Sequence, residues 1–197
     1  VIGTTLGLIA GFRGGIIGDV ILRLTDILMS FPSLLLAMVV LYVFDPSILN
    51  VIIVLALTRI PIYLRTTRAE VMEVRTRMFV TAALVAGAGP MRIILCHILP
   101  IIAPTLLTIA TLDFAFVMLA EASLSFLGLG LQAPQVTWGV MVAEGRAYLA
   151  TAWWLAFWPG LAIALVTMSL NLLSNWLRVV TDPVQRWRLE RRMPQNV

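Results

Sequence analysis

Three charged side chains stand where the sequence is otherwise apolar: Arg59, Asp113 and Glu121. An arginine inside an apolar helix is expensive unless it faces protein, water or the nearby headgroups. Two readings of Arg59 compete: it snorkels to an interface or pairs with a neighbouring helix, or it lines a polar pathway. Asp113 and Glu121 lie eight residues apart, near one helical face. Buried carboxylates there bind a cationic part of a solute, or they act as a gate or helix cap held by backbone donors. Enzyme chemistry is poorly supplied. The chain has one histidine, His97, and one cysteine, Cys96, and no His, Cys or carboxylate pair with catalytic spacing. That inventory also leaves out a zinc cluster. Every basic residue is an arginine, so a phosphate-binding loop of the G-x-x-x-x-G-K-[ST] type lacks its lysine. No cofactor or ATP site of that kind is expected in the chain itself.

The composition says where such residues sit. Of 197 residues, 60% are hydrophobic and 12% charged, and the mean hydropathy is +0.99. Soluble domains are about half apolar and a quarter charged, so the expectation is an all-α, polytopic membrane protein in a lipid bilayer. The net charge of +4 does not argue for nucleic acid, because no basic face lies outside two clusters. Arg65, Arg68, Arg75, Arg77 and Arg92 form one; Arg178, Arg186, Arg188, Arg191 and Arg192 form the other. Beside apolar segments, such clusters read as cytoplasmic flanks.

Five segments follow from the apolar runs. The chain opens at Val1 inside the first, Val1 to Phe12, which is too short to span alone, so a fragment continuing upstream is expected. Ile16 to Phe44 reads as an amphipathic entry followed by a span, with Pro32 at the joint. Its Asp19, Arg23 and Asp26 share one face, where an i,i+4 pair is expected. Ile48 to about Thr67, Met91 to Ala120 and Trp154 to Trp176 are the remaining spans. The loop at about 121–151 has only Arg146 as a base and mixes apolar with turn residues. It is expected outside, as a scoop-like loop packed on protein. The tail at about 177–197 is expected in the cytoplasm.

Between the third and fourth spans lies a cytoplasmic stretch at about 68–95, too long for a simple turn. Its core, FVTAALVAGAGPMRIILCHILP from Phe79 to Pro100, predicts a short helix from about Thr81, because alanines favour helix. Gly87 and Gly89 stop that helix, and Pro90 suits the first turn of the next. A small-residue face of this kind lets another protein's backbone approach closely. Packing on the chain's own bundle is the alternative.

The residues Ala82-Ala83, then Gly87, then Leu99-Pro100 resemble the EAA loop of ABC importer permeases. EASLSFLGLG from Glu121 to Gly130, Trp138-Gly139, Glu144-Gly145-Arg146, Ala152-Trp153-Trp154 and Pro159-Gly160 are similar to the dipeptide/oligopeptide/nickel branch, and within it to the second permease subunit. RLTDILMSFPSLLLA from Arg23 to Ala37 fits the same subunit. The resemblance implies a single permease domain over 1–197 with the MetI-like fold and about five membrane helices here. It implies a transport subunit rather than an enzyme, importing di- or oligopeptides or a similar small solute. Thr81, Ala82, Ala83, Gly87, Leu99 and Pro100 become the coupling surface for an ATP-hydrolysing subunit. The implied partners are a second permease subunit, two ATP-binding subunits and an extracytoplasmic solute-binding protein, in a bacterial inner membrane with the C-terminus cytoplasmic. Nickel and glutathione are alternative cargoes within the family. An ion-coupled secondary transporter using Arg59 and Asp113 is the alternative outside it. Three departures stand out: Thr81 replaces the usual glutamate, Arg59 a more common aromatic, and Ser174-Asn175-Trp176-Leu177-Arg178-Val179 the usual Gly-Asp-x-Leu-Arg-Asp.

Overall fold

The computed structural model describes residues 1–45 and 47–181. The expected tail from 182 onward and Pro46 of the Asp45-Pro46-Ser47 turn lie outside the described residues. All regular structure among the described residues is helical. The nine α-helices are α1 Ile2–Arg13, α2 Gly15–Met29, α3 Ser33–Val43, α4 Ile48–Val74, α5 Met78–Val85, α6 Pro90–Ile93, α7 Leu99–Phe126, α8 Trp138–Gly145 and α9 Trp154–Thr181. A π-helical turn, Ile94–Ile98, joins α6 to α7, and a 3-10 turn, Arg146–Tyr148, follows α8.

Three helical stretches are long and apolar enough to cross a membrane: α4, the run from Pro90 to Phe126, and α9. A fourth span exists if α2 and α3 count together, bent by 78° at their junction. The bend falls where Pro32 was expected to mark a joint. Proline at 32 cannot continue the hydrogen-bond ladder of α2, and its ring fixes the chain for a new start at Ser33. The first segment is present as α1, with 12 residues. Only 11% of the apolar window of α9 and 17% of that of the Pro90–Phe126 run is buried among the described residues. Their apolar faces are therefore left for lipid or for other subunits.

Each long helix begins or bends for a local reason. Ser47 caps α4, its hydroxyl accepting from Asn50 N at 3.2 Å, while Asn50 Nδ2 donates to Asp45 O at 2.8 Å. α4 runs on to Val74, past the expected boundary near Thr67, because nothing between Thr67 and Val74 breaks the ladder. The widened turn at Ile94–Ile98 precedes Pro100, whose missing N–H cannot close an ordinary helical bond.

α1 is held against α4 by small residues. Gly3, Gly7 and Gly11 recur every fourth position and face α4, so the backbones touch. A Cβ built at Gly7 would stand 2.6 Å from Thr67 Cβ. This is small-residue packing of the kind that joins helices where hydrophobic driving force is weak. At the end of α1, Arg75, the residue that follows α4, donates to Gly11 O at 2.9 Å and Phe12 O at 3.1 Å, satisfying carbonyls the helix cannot. The expected pair within α2 is not made. Asp26 instead meets Arg65 of α4, so the charge ties two helices rather than one face.

Two apolar clusters form at opposite ends of the bundle. One joins α3, α4, α7 and α8 through Ala37, Leu41, Val51, Leu55, Leu124 and Val140. The other joins α1, α4, α5, α6, the π-helical turn and the start of α7 through Leu8, Val71, Val80, Ile93, Ile98 and Ile102. Between them lies a waist on α4 and α7 that belongs to neither cluster.

Candidate functional site

Arg59 and Asp113 meet at that waist. Each sits near mid-length of its helix, α4 and α7 respectively, and they form an ion pair. Asp113 is buried and the Arg59 side chain is 19% exposed. At mid-length of α4, Arg59 pairs with the neighbouring helix α7. Phe116, one turn on from Asp113, supports the guanidinium from its face at 4.1 Å. Tyr63, one turn on from Arg59, stands beside Asp113. Arg59, Tyr63 and Asp113 border a largely apolar cavity of about 580 Å³, walled by Val1, Ile2, Gly3, Ile53, Leu57 and Phe114. Arg59 also borders a second cavity of about 390 Å³ under the α2–α3 bend, together with Pro32 and Arg65.

Glu121 does not join this pair. Eight residues along a helix carry it about 12 Å away, and its Oε1 accepts from Ser125 Oγ at 2.9 Å and Thr137 Oγ1 at 3.0 Å. Thr137 in turn caps α8, accepting from Val140 N at 3.2 Å. Glu121 therefore clasps the 127–137 connection to α7. Two close approaches complete the clasp, with Gly139 against Ala122 and Gly145 against Ala156. The expected scoop-like loop is thus a packed element, α8 lying on α7 and α9.

At the opposite end, α5 starts at Met78, three residues before the expected Thr81. Val80 anchors it in the cluster at that end and Ala83 packs behind. Thr81 and Ala82 face out, beside Met78 at 89% and Val85 at 85% exposure. Apolar side chains so exposed have no partner within the described chain. Gly87 ends the helix with φ +82, a conformation that costs any other residue about 1–2 kcal/mol. Leu99 packs into the cluster behind α5, whereas Pro100 is exposed at the start of α7. The structure thus gathers Thr81, Ala82 and Gly87 on one surface and turns Ala83 and Leu99 inward to hold it.

The structural roles of five residues were missed in the sequence. Gly3, Gly7 and Gly11 carry a legible signal, the G-x-x-x-G spacing in an apolar run. Arg75 was read only as a flank charge. Ser174, buried in α9, donates to Thr108 O of α7 at 3.1 Å; it belongs to the departure noted at 174–179. Among the described residues no group of three His, Cys, Asp or Glu could hold a metal ion.

Comparison with known proteins covers the same span. Residues 3–187 match the model for "binding-protein-dependent transport system inner membrane component". The chain is 42% identical over 181 residues to a di/tripeptide transport system permease protein of Pseudomonas aeruginosa, covering 92% of this chain and 60% of that protein. It is 40% identical over 182 residues to a probable D,D-dipeptide transport system permease protein of Escherichia coli, covering 92% and 61%. A nickel transport system permease protein of Escherichia coli is 40% identical over 183 residues, covering 91% and 66%. The chain therefore spans about three fifths of the length of the curated relatives it matches.

Proposed function

The chain belongs to the binding-protein-dependent transport system inner membrane component family, and from that premise we propose that it is one transmembrane subunit of an ATP-driven importer for di- or oligopeptides or a similar small solute. The observation that carries the reading is α5: a short helix rooted by Val80, its Thr81, Ala82, Met78 and Val85 facing out and uncovered by the described residues. Such a surface suits an ATP-binding partner, because the chain has no lysine for a phosphate loop of its own. Thr81, Ala82, Ala83, Gly87, Leu99 and Pro100 make or support that contact. The end with α5 and the arginine-rich tail is cytoplasmic; the α8 loop faces the solute-binding protein; a second permease subunit completes the pathway. Arg59 and Asp113 line the pathway at its waist, and the Glu121 clasp steadies its outer mouth.

Mechanically, closure of two ATP-binding subunits moves α5, and the rigid run from Pro90 to Phe126 carries that movement to Asp113. The test is uptake in cells carrying the partner subunits. Gly87→Asp abolishes transport while the protein remains in the membrane, and Ala82→Trp, at an exposed position with no folding penalty, does the same. Normal uptake by both variants at native protein level sinks the coupling surface.

A further inference from the structure

α5 joins the bundle by two routes. One runs through α6 into α7; the other runs back through Arg75, Thr76 and Arg77, which alone separate it from α4. This second elbow is closely bonded. Arg75 N donates to Val71 O at 2.9 Å, and Arg77 N donates to Val74 O at 3.1 Å. The Arg77 side chain pairs with Glu73 at 2.7 Å, and Arg77 O accepts from Val80 N of α5 at 3.0 Å. From the elbow the Arg75 side chain reaches across to α1, where its Nη1 donates to both Gly11 O and Phe12 O. Among the described residues no carboxylate pairs with Arg75, so its charge serves the negative end of that helix. The chain turns from α1 into α2 at Gly14, whose φ of 62 and ψ of -154 suit glycine alone. A Cβ built on Gly14 would lie 3.5 Å from Arg75 Nη1. α2 then packs back on α1 at Gly18, where a Cβ would stand 2.9 Å from Ala10 O.

We propose that Arg75 is a positioning residue for transport: it makes the glycine turn between α1 and α2 follow the movement of α5. The inference rests on the importer reading above and adds a second line of coupling beside the one along α7. The bonded elbow passes a displacement of α5 to the end of α4. One guanidinium nitrogen held by two carbonyls passes it on to the last turn of α1. That turn does not lag, because Leu8 belongs to one cluster with Val71, Val74 and Val80, and Phe12 packs against it. Gly14 is the pivot, since a residue without a side chain offers least resistance to backbone rotation. At its far end α2 meets α4 again through Asp26 and Arg65, whose side chains are about half exposed. Exposed pairs contribute little, so this one does not lock α2 in place. A rotation at Gly14 therefore reorients α2 and, past the 78° bend, α3.

The test uses the complete transporter with its solute-binding protein in proteoliposomes and reads solute imported per ATP hydrolysed. Arg75→Gln removes the charge and shortens the donor; the ratio is expected to fall at least about fivefold, with ATP hydrolysis within about twofold of native. Arg75→Lys is expected to recover the ratio to within about twofold, because a single ammonium nitrogen can donate to both carbonyls as Nη1 does. A residue that only caps α1 would lower the amount of complex, or uptake and hydrolysis together, and leave the ratio unchanged. That result overturns the proposal, as does a ratio that Arg75→Lys fails to restore. A second arm needs no variant and decides the matter even if Arg75→Gln fails to assemble. Hydrogen exchange of the native complex is compared without nucleotide and with ATP trapped by vanadate. Peptides covering residues 11–18 are expected to change protection along with those covering 75–82; a response at 75–82 with none at 11–18 overturns the proposal. No response at 75–82, or no ATP-dependent uptake by the native complex, counts against the importer reading instead, which is a separate result.

Discussion

Two kinds of polar residue do different work in this chain, and substitutions separate them. Asp113→Leu leaves Arg59 buried without its partner, and breaking such a pair costs about 3–5 kcal/mol. The expected result is a clearly lower melting temperature in detergent, most of it recovered when Arg59→Met is added, since the double variant leaves no lone charge. Thr137→Val removes both the cap of α8 and a partner of Glu121. Cap loss costs about 1 kcal/mol, and limited proteolysis should cut first between α7 and α8. Equal cleavage of native and variant protein would mean the clasp is not what orders the loop. The sequence showed that Arg59, Asp113 and Glu121 were unusual, because charge in an apolar helix is visible at once. It did not show which of them meet. The separation of 54 in sequence between Arg59 and Asp113 carries no periodic signal linking them, since the pairing depends on how far α4 and α7 slide past one another. Glu121 looked like a companion of Asp113 from helical phase alone; of its partners Ser125 is one turn on in α7, and Thr137 comes from a loop whose path no pattern dictates.

The helices themselves were largely legible, their limits less so. Apolar runs located α4, the Pro90–Phe126 stretch and α9, and Gly87 with Pro90 marked the break after α5 because each has one conformational reason to stand there. Boundaries were set short in α4 and α7: Arg65 to Val74 and Glu121 to Phe126 carry charges that look like loop but cost little on an exposed or clasped helical face. The pairing of α1 with α4 is the element-scale feature with the sharpest test. Gly7→Leu places a branched side chain where a Cβ already stands 2.6 Å from Thr67 Cβ, and overpacking of that kind costs about 1–3 kcal/mol. Membrane-inserted protein of that variant should fall several-fold in a protease-protection assay, whereas Gly89→Ala, at φ -68 with no atom within 4 Å, should leave its level much nearer to native. A native level of the Gly7→Leu protein would mean that α1 and α4 are free to separate.

At the scale of the molecule, two apolar clusters at opposite ends bracket a charged waist, and an exposed helix projects from one end. The proposed coupling runs from α5 to Asp113 along α6, the π-helical turn and α7, which form one continuous helical run. Composition made the membrane class plain, and arginine position made one end stand out; the two-cluster layout was not readable, since it arises from which faces of α1, α3, α4 and α7 meet. The central claim is that α5 is the contact for an ATP-binding subunit. It is tested most directly by placing a photoreactive amino acid at Ala82, with a second at exposed Phe114 of the waist as control, in cells expressing the whole transporter. Irradiation is predicted to join position 82, and not position 114, to the ATP-binding subunit, identified by mass spectrometry. Absence of that product at position 82 in a complex that copurifies and transports, or equal yield from both positions, would contradict the account.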